Sequence, residues 1–147
     1  MATPAQVEFH TGVADPLVFA CRLIRKALRS GARLTVTAPS ERLAALDQAL
    51  WTFDAGSFVP HVRVPGADRS LLARTPVWLV QGAMPDDAPA LLLNLGGPAP
   101  QSADRFARVI EIVADDEHDA REARERWRHY EQWGVAPRHH RAGSSES

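Results

Sequence analysis

The chain has 147 residues, 45% of them hydrophobic and 24% charged, with a net charge of −1 at neutral pH. That length suits one domain, which buries about 68–70% of its unfolded surface and needs neither disulfide nor metal to hold a core. The single cysteine excludes an internal disulfide, the near-balanced charge argues against a dedicated DNA-wrapping protein, and no apolar run nears the ~20 residues that span a bilayer.

Gln6 to Phe9 alternates polar and apolar residues and predicts a first strand. Thr11 to Pro16 predicts a loop, and Leu17 to Ser30 a helix with Leu17, Phe19 to Cys21, Leu23, Ile24, Ala27 and Leu28 at helical spacing. Arg22, Arg25, Lys26 and Arg29 fall largely on the opposite side, and Gly31 suits the helix end. Arg33 to Ala38 reads as a second strand, followed by a helix from about Ser40 to Trp51. Asp54 to Arg74 reads as long, polar and irregular. Val77 to Gln81, Leu91 to Asn94 and Arg108 to Val113 give three more strands, with a short helix near Ser102 to Ala107. Asp115 to Trp133 is the last helix, closed by Gly134 and Pro137. The domain is therefore expected to cover residues 1–137, with 138–147 a polar, Ser-rich, disordered tail.

Strands alternating with helices predict an α/β fold: a Rossmann-like three-layer sandwich, with a mostly parallel sheet of about five strands and helices on both faces. Such folds bind ligands outside the C-terminal strand ends. Thr11-Gly12-Val13-Ala14-Asp15-Pro16, the first such turn, lacks the Gly-rich dinucleotide pattern, and no phosphate-binding loop sequence occurs elsewhere. Gly96-Gly97 before Pro98 reads as a turn.

No cofactor, metal or catalytic residue is expected. His139 and His140 are adjacent but have no further ligands nearby in sequence, and His118 and His129 stand three turns apart on their helix. Asp115-Asp116 opens a helix, where acids favour the macrodipole. Cys21 lies within a helix pattern and reads as a small buried apolar residue. A small enzyme or nucleotide-binding protein using the strand-end crevice is the alternative reading. The N-terminus lacks a basic region followed by an apolar core, so a soluble cytoplasmic protein is expected.

Two segments carry more information. In the last helix Arg121, Arg124 and Arg128 fall within roughly 60° of one another, at about 100° per residue, with Trp127 bordering the apolar arc of Ala120, Ala123 and Tyr130. Guanidinium groups beside an indole suit an acidic peptide with an aromatic end. The same charge order also stabilises the helix by itself, with acids at its start and bases toward its end. Trp51, Phe58 and Pro60 form an aromatic-rich stretch that can anchor a partner, while Phe53 fits the core.

Leu46-Asp47-Gln48-Ala49-Leu50-Trp51, followed by Ser57-Phe58-Val59-Pro60-His61, resembles the signature of the DNA polymerase III chi subunit family. Further matches stand in order: Cys21-Arg22-Leu23, Lys26-Ala27, Gly31, Pro76-Val77, Leu93-Asn94-Leu95, Arg105-Phe106, Glu111-Ile112-Val113 and Ala123 to Tyr130. The resemblance spans about residues 6 to 134. It implies a Rossmann-like fold without nucleotide chemistry and two binding surfaces. One, on Trp51, Phe58, Val59 and Pro60 with His61 nearby, would hold the psi subunit of the clamp loader, or another partner such as a helicase. The other, on Arg124, Trp127 and Arg128, would hold the acidic C-terminal tail of single-stranded-DNA-binding protein; helix geometry adds Arg121. DNA would then be contacted only indirectly, and no membrane is involved.

Overall fold

The computed structural model describes residues 6–52, 58–100 and 105–142. Among the described residues seven strands form one sheet: β1 (Gln6–Val13), β2 (Leu34–Thr37), β3 (His61–Val64), β4 (Val77–Val80), β5 (Leu91–Asn94), β6 (Arg108–Ala114) and β7 (Arg138–Arg141). Their order is β3-β4-β2-β5-β6-β1-β7, and every pairing is parallel. His61, Val77, Leu34, Leu91, Arg108 and Gln6 stand level across the sheet, so the strands start along one common edge.

The helices are α1 (Pro16–Arg29), α2 (Ser40–Thr52), α3 (Arg69–Arg74) and α4 (Glu117–Gln132). Side-chain carboxylates start three of them. Asp15 accepts from the Val18 amide at 3.2 Å, Asp68 from Leu71 at 2.8 Å and Asp116 from Asp119 at 2.8 Å, each satisfying an amide that the first helical turn leaves unpaired. Gly31 and Gly134 follow α1 and α4 at φ +83° and +86°, a conformation that costs glycine little.

Strand pleating splits the core into two layers. Val36, Leu79, Leu93, Ile110 and Ile112 pack against α1 and α2 through Ala20, Cys21, Ile24, Leu43, Leu46 and Leu50. Val7, Phe9, Leu92, Val109 and Val113 face α4 through Ala123 and Tyr130, while Trp78 and Val80 meet Leu72 of α3 on that same side of the sheet. Each such fully buried apolar side chain contributes about 1.5–3 kcal/mol. Burial pushes the Cys21 thiol up to about 11, helped by the Asp15 charge, so it stays protonated at neutral pH and packs as an apolar residue.

The expected architecture holds, with two strands beyond the five read from sequence. β3 lies inside the stretch read as irregular, where His61 and Val64 turn inward and its backbone pairs with β4. α3 completes that stretch. β7 corrects the expectation of a disordered tail from residue 138, since residues 138–141 pair with β1. No apolar burial holds it there: all four residues are exposed. Main-chain pairing, the Ala142 amide donating to Thr11 O at 2.8 Å, and a 2.6 Å contact between Thr11 Oγ1 and His139 Nε2 do so instead. β1 also runs on to Val13, past the loop expected from Thr11, with an irregular register after His10 and Gly12 at φ +67°. Phe53 and the first half of the short helix expected near Ser102–Ala107 lie outside the described residues, and Arg105 to Ala107, its second half, form no α-helix.

Candidate functional site

α4 presents three faces. Ala123, Arg126 and Tyr130 are buried; Arg121, Arg124 and Arg128 are exposed; Trp127 is half-buried between them. The Trp127 ring lies 5.0 Å from that of Phe9 and stands edge-on to His139 at 6.4 Å. Beside it, α4, β1 and β7 enclose a pocket of about 460 Å³. Phe9, Ala123 and Trp127 supply an apolar lining, and Arg124, His139 and Arg141 the basic part. Asp115, Asp116 and Glu117 stand at the end nearest the helix start.

Of the four α4 residues read from sequence, Arg124 and Trp127 line this pocket, whereas Arg121 and Arg128 do not. Arg124 reaches Glu117 at 3.2 Å and Arg128 reaches Glu125 at 3.3 Å. Both pairs are well exposed, so they cost a competing anion little to open. His139 and Arg141 were missed because their strand was read as tail; Phe9 carried no signal beyond strand propensity, and Thr11 was read as the start of a loop.

The aromatic surface lies where α2 ends and β3 begins. Trp51 is 55% exposed and Phe58 68%, with ring centroids 5.6 Å apart. Pro60 is partly exposed beside them. Val59 and His61, expected on this surface, instead lie beneath it: Val59 is 3% exposed and the His61 side chain 1%. His61 opens β3 rather than sitting in a loop, and its ring lies 4.8 Å from the Trp51 ring. Its Nδ1 donates to Val59 O at 2.7 Å and its Nε2 meets Asp47 Oδ1 at 2.9 Å, while Arg63 holds the other Asp47 oxygen at 3.3 Å. These side chains support Trp51 and leave its outer face to solvent.

Behind α4, a carboxylate and a guanidinium are buried together. Arg126 Nε donates to Glu111 Oε1 at 2.7 Å, Tyr130 Oη to Glu111 Oε2 at 2.7 Å, and Asn94 Nδ2 to both oxygens at 3.0 and 3.2 Å. Arg126 also donates to Gly97 O at 2.8 Å, and Thr37 to Asn94 Oδ1 at 2.9 Å. Burial, then the Glu111 charge, drives the Tyr130 hydroxyl far above the usual phenol range, so it remains a donor. No buried side-chain polar atom among the described residues lacks a partner, which makes this an anchor for α4.

A second cavity of about 460 Å³ lies at the strand-end crevice, lined by Thr37, Pro39, Met84, Asn94, Gly97 and Pro98 among others, none of them charged. Arg42, beside Gly96, is committed to Leu95 O at 2.6 Å and Asp119 at 3.0 Å. Among the described residues of that lining none carries a positive charge for a nucleotide phosphate. Among the described residues no group of three or more His, Cys, Asp or Glu side chains is placed to hold a metal ion, and no helix is long and apolar enough to cross a membrane.

Three polar groups make stability sensitive to acid, all with the same sign. Burial alone would raise Asp119 and Glu8. Arg42 and the Ala114 amide outweigh it at Asp119, and Arg108 and His10 at Glu8, so both carboxyls sit below their ordinary range. Burial holds His10 below the usual imidazole value of 6.5, with Glu8 opposing. For each, the folded state binds protons less readily than the unfolded chain. Calorimetry should therefore show a steady melting temperature above about pH 7. It should decline as His10 charges in the unfolded chain, then fall more steeply through the carboxylate range. Asp119→Asn should flatten the acid limb; a melting temperature unchanged down to pH 4 contradicts this account.

The family profile described as DNA polymerase III chi subunit, HolC, matches residues 5–138. Among curated proteins, the DNA polymerase III subunit chi of Pseudomonas aeruginosa is 35% identical over 132 residues, covering 87% of this chain and 89% of the relative. The protein of the same name from Haemophilus influenzae is 31% identical over 110 residues, covering 74% and 75%. The family match ends where β7 begins.

Proposed function

Since the chain belongs to the DNA polymerase III chi subunit family and has a replication accessory role, we propose that it acts as a non-catalytic adaptor with two separate docking surfaces. Trp51, Phe58 and Pro60 take the psi subunit or an equivalent clamp-loader partner. The α4 pocket takes the acidic C-terminal tail of single-stranded-DNA-binding protein. The observation that carries the reading is the pairing of basic groups with an aromatic-lined pocket at Arg124 and Trp127. Guanidinium groups pair with carboxylates in bidentate fashion, and Phe9 with Trp127 shelters an aromatic end.

Two contacts joined through one rigid body act by avidity: a weak one to coated template and a tight one to the polymerase assembly. The test is calorimetry with the last ten or so residues of the host's single-stranded-DNA-binding protein. Micromolar binding that weakens with salt and disappears without the terminal phenylalanine is expected. Arg124→Ala should weaken it several-fold, and Arg128→Ala, just outside the pocket, somewhat less, with both domains folded. Unchanged affinity in both variants removes the site.

A further inference from the structure

The charge of −1 is a sum over surfaces of opposite sign. α1 carries Arg22, Arg25, Lys26 and Arg29 and no acid. Arg22, Lys26 and Arg29 are exposed, and among the described residues none of the three forms an ion pair. They lie opposite the helix face that buries Ala20, Cys21 and Ile24. Neighbouring α2 shows Ala44, Ala45 and Gln48 to solvent along its middle, and its one exposed acid, Glu41, stands in its first turn. On the other flank Phe19 packs against His10 at 5.5 Å, and His140 stacks on His10 at 5.0 Å. The α1-facing side of β7, with Arg138 and His140, therefore continues the basic surface.

We propose that the outer face of α1, continued by Arg138 and His140, binds the phosphodiester backbone of DNA directly. Seven residues of helix separate Arg22 from Arg29, a rise of about 10 Å. At about 3.4 Å per charge along one strand, that length faces roughly three phosphates. Among the described residues the exposed large apolar side chains are Trp51, Phe58 and Leu71, none on α1 or β7. The surface thus lacks a wedge for lipid and an anchor of the kind that concentrates protein–protein binding energy. Evenly placed cations without apolar groups suit a backbone contact, which positions a strand without reading its sequence. This contact is separate from the two peptide surfaces and does not rest on them.

The test uses the full chain and a labelled 20-nucleotide oligothymidylate, followed by anisotropy between about 10 and 150 mM salt, with no other protein present. Binding at low salt with a log–log salt slope of about −2 is expected for roughly three phosphates on a single strand. Arg22→Gln with Arg29→Gln should weaken it about tenfold and flatten the slope. Arg69→Gln with Arg74→Gln, a charge-matched pair on α3 across the sheet, should stay within about twofold. Photocrosslinking of the wild-type chain to the same oligonucleotide should label α1 and β7 peptides, a readout independent of how the variants fold. No binding at 10 mM salt, equal loss in both variant pairs, crosslinks confined to other elements, or stronger capture by phosphatidylglycerol vesicles than by the oligonucleotide would each overturn the assignment.

Discussion

Methionine in place of Arg126 is expected to lower the melting temperature by roughly 10 °C or more. Arg126 is 1% exposed and its guanidinium neutralises a Glu111 side chain with no solvent access. Removing one member of a buried ion pair leaves the other uncompensated, at a cost of about 3–5 kcal/mol. For a chain of this size each kcal/mol moves the midpoint by about 3 °C. Asn94 and Tyr130 still donate to the stranded carboxylate, which limits the damage without removing the charge. Adding Glu111→Gln should recover much of the loss, because a neutral amide still accepts from Tyr130. A single variant melting within 3 °C of the wild type would show that the charge finds other compensation.

Alanine at Trp51 should leave the fold almost untouched and cost the proposed clamp-loader contact about thirtyfold. The indole is more than half exposed, so truncation opens no cavity and the melting temperature should move by less than about 2 °C. Exposed tryptophans at interface centres each carry about 2 kcal/mol or more, and 1.4 kcal/mol is a factor of ten in affinity. Phe58→Ala should follow the same pattern. His61→Asn makes a useful contrast: it removes the support under Trp51 rather than a contact, so it should reduce both stability and affinity. Surface plasmon resonance against the psi subunit measures all three. Wild-type affinity in Trp51→Ala would assign the patch to a different partner.

Periodicity made most of the sheet legible because it reports burial. β4 and β5 are short apolar runs between turn residues, and α1 and α4 carry one-sided apolar stripes with caps and a closing glycine. β7 shows the limit of that signal. Arg-His-His-Arg is exposed throughout and is held by main-chain pairing and polar or ring contacts rather than by apolar burial, so no hydrophobic pattern announces it. β3 failed for a related reason, since four residues after a proline leave too short a window. The basic stripe on α4 was legible from angles alone, but its pocket needed Phe9, His139 and Arg141 from strands far away in sequence. The Arg126–Glu111 pair was readable and overlooked. Arg126 sits three residues from Ala123 and four from Tyr130, on the apolar arc, and Glu111 interrupts an otherwise apolar strand. Two opposite charges on buried faces imply one another.

The place of β1 bears on how the protein is made. Among the described strands β1 leaves the ribosome first, and in the finished sheet it is flanked by β6 and β7, the last two of them to be synthesised. Until residues beyond 108 emerge, its backbone has no partner on either side, and the Val7 and Phe9 face waits for α4. β2, β4 and β5 can assemble meanwhile as a nascent half-sheet. Closure of the remainder must follow release of the distal segment from the exit tunnel, the slow regime expected where contacts join segments about a hundred residues apart. Stalled or prematurely terminated translation products would therefore display a bare strand edge, a substrate for chaperones or proteases rather than a smaller working protein.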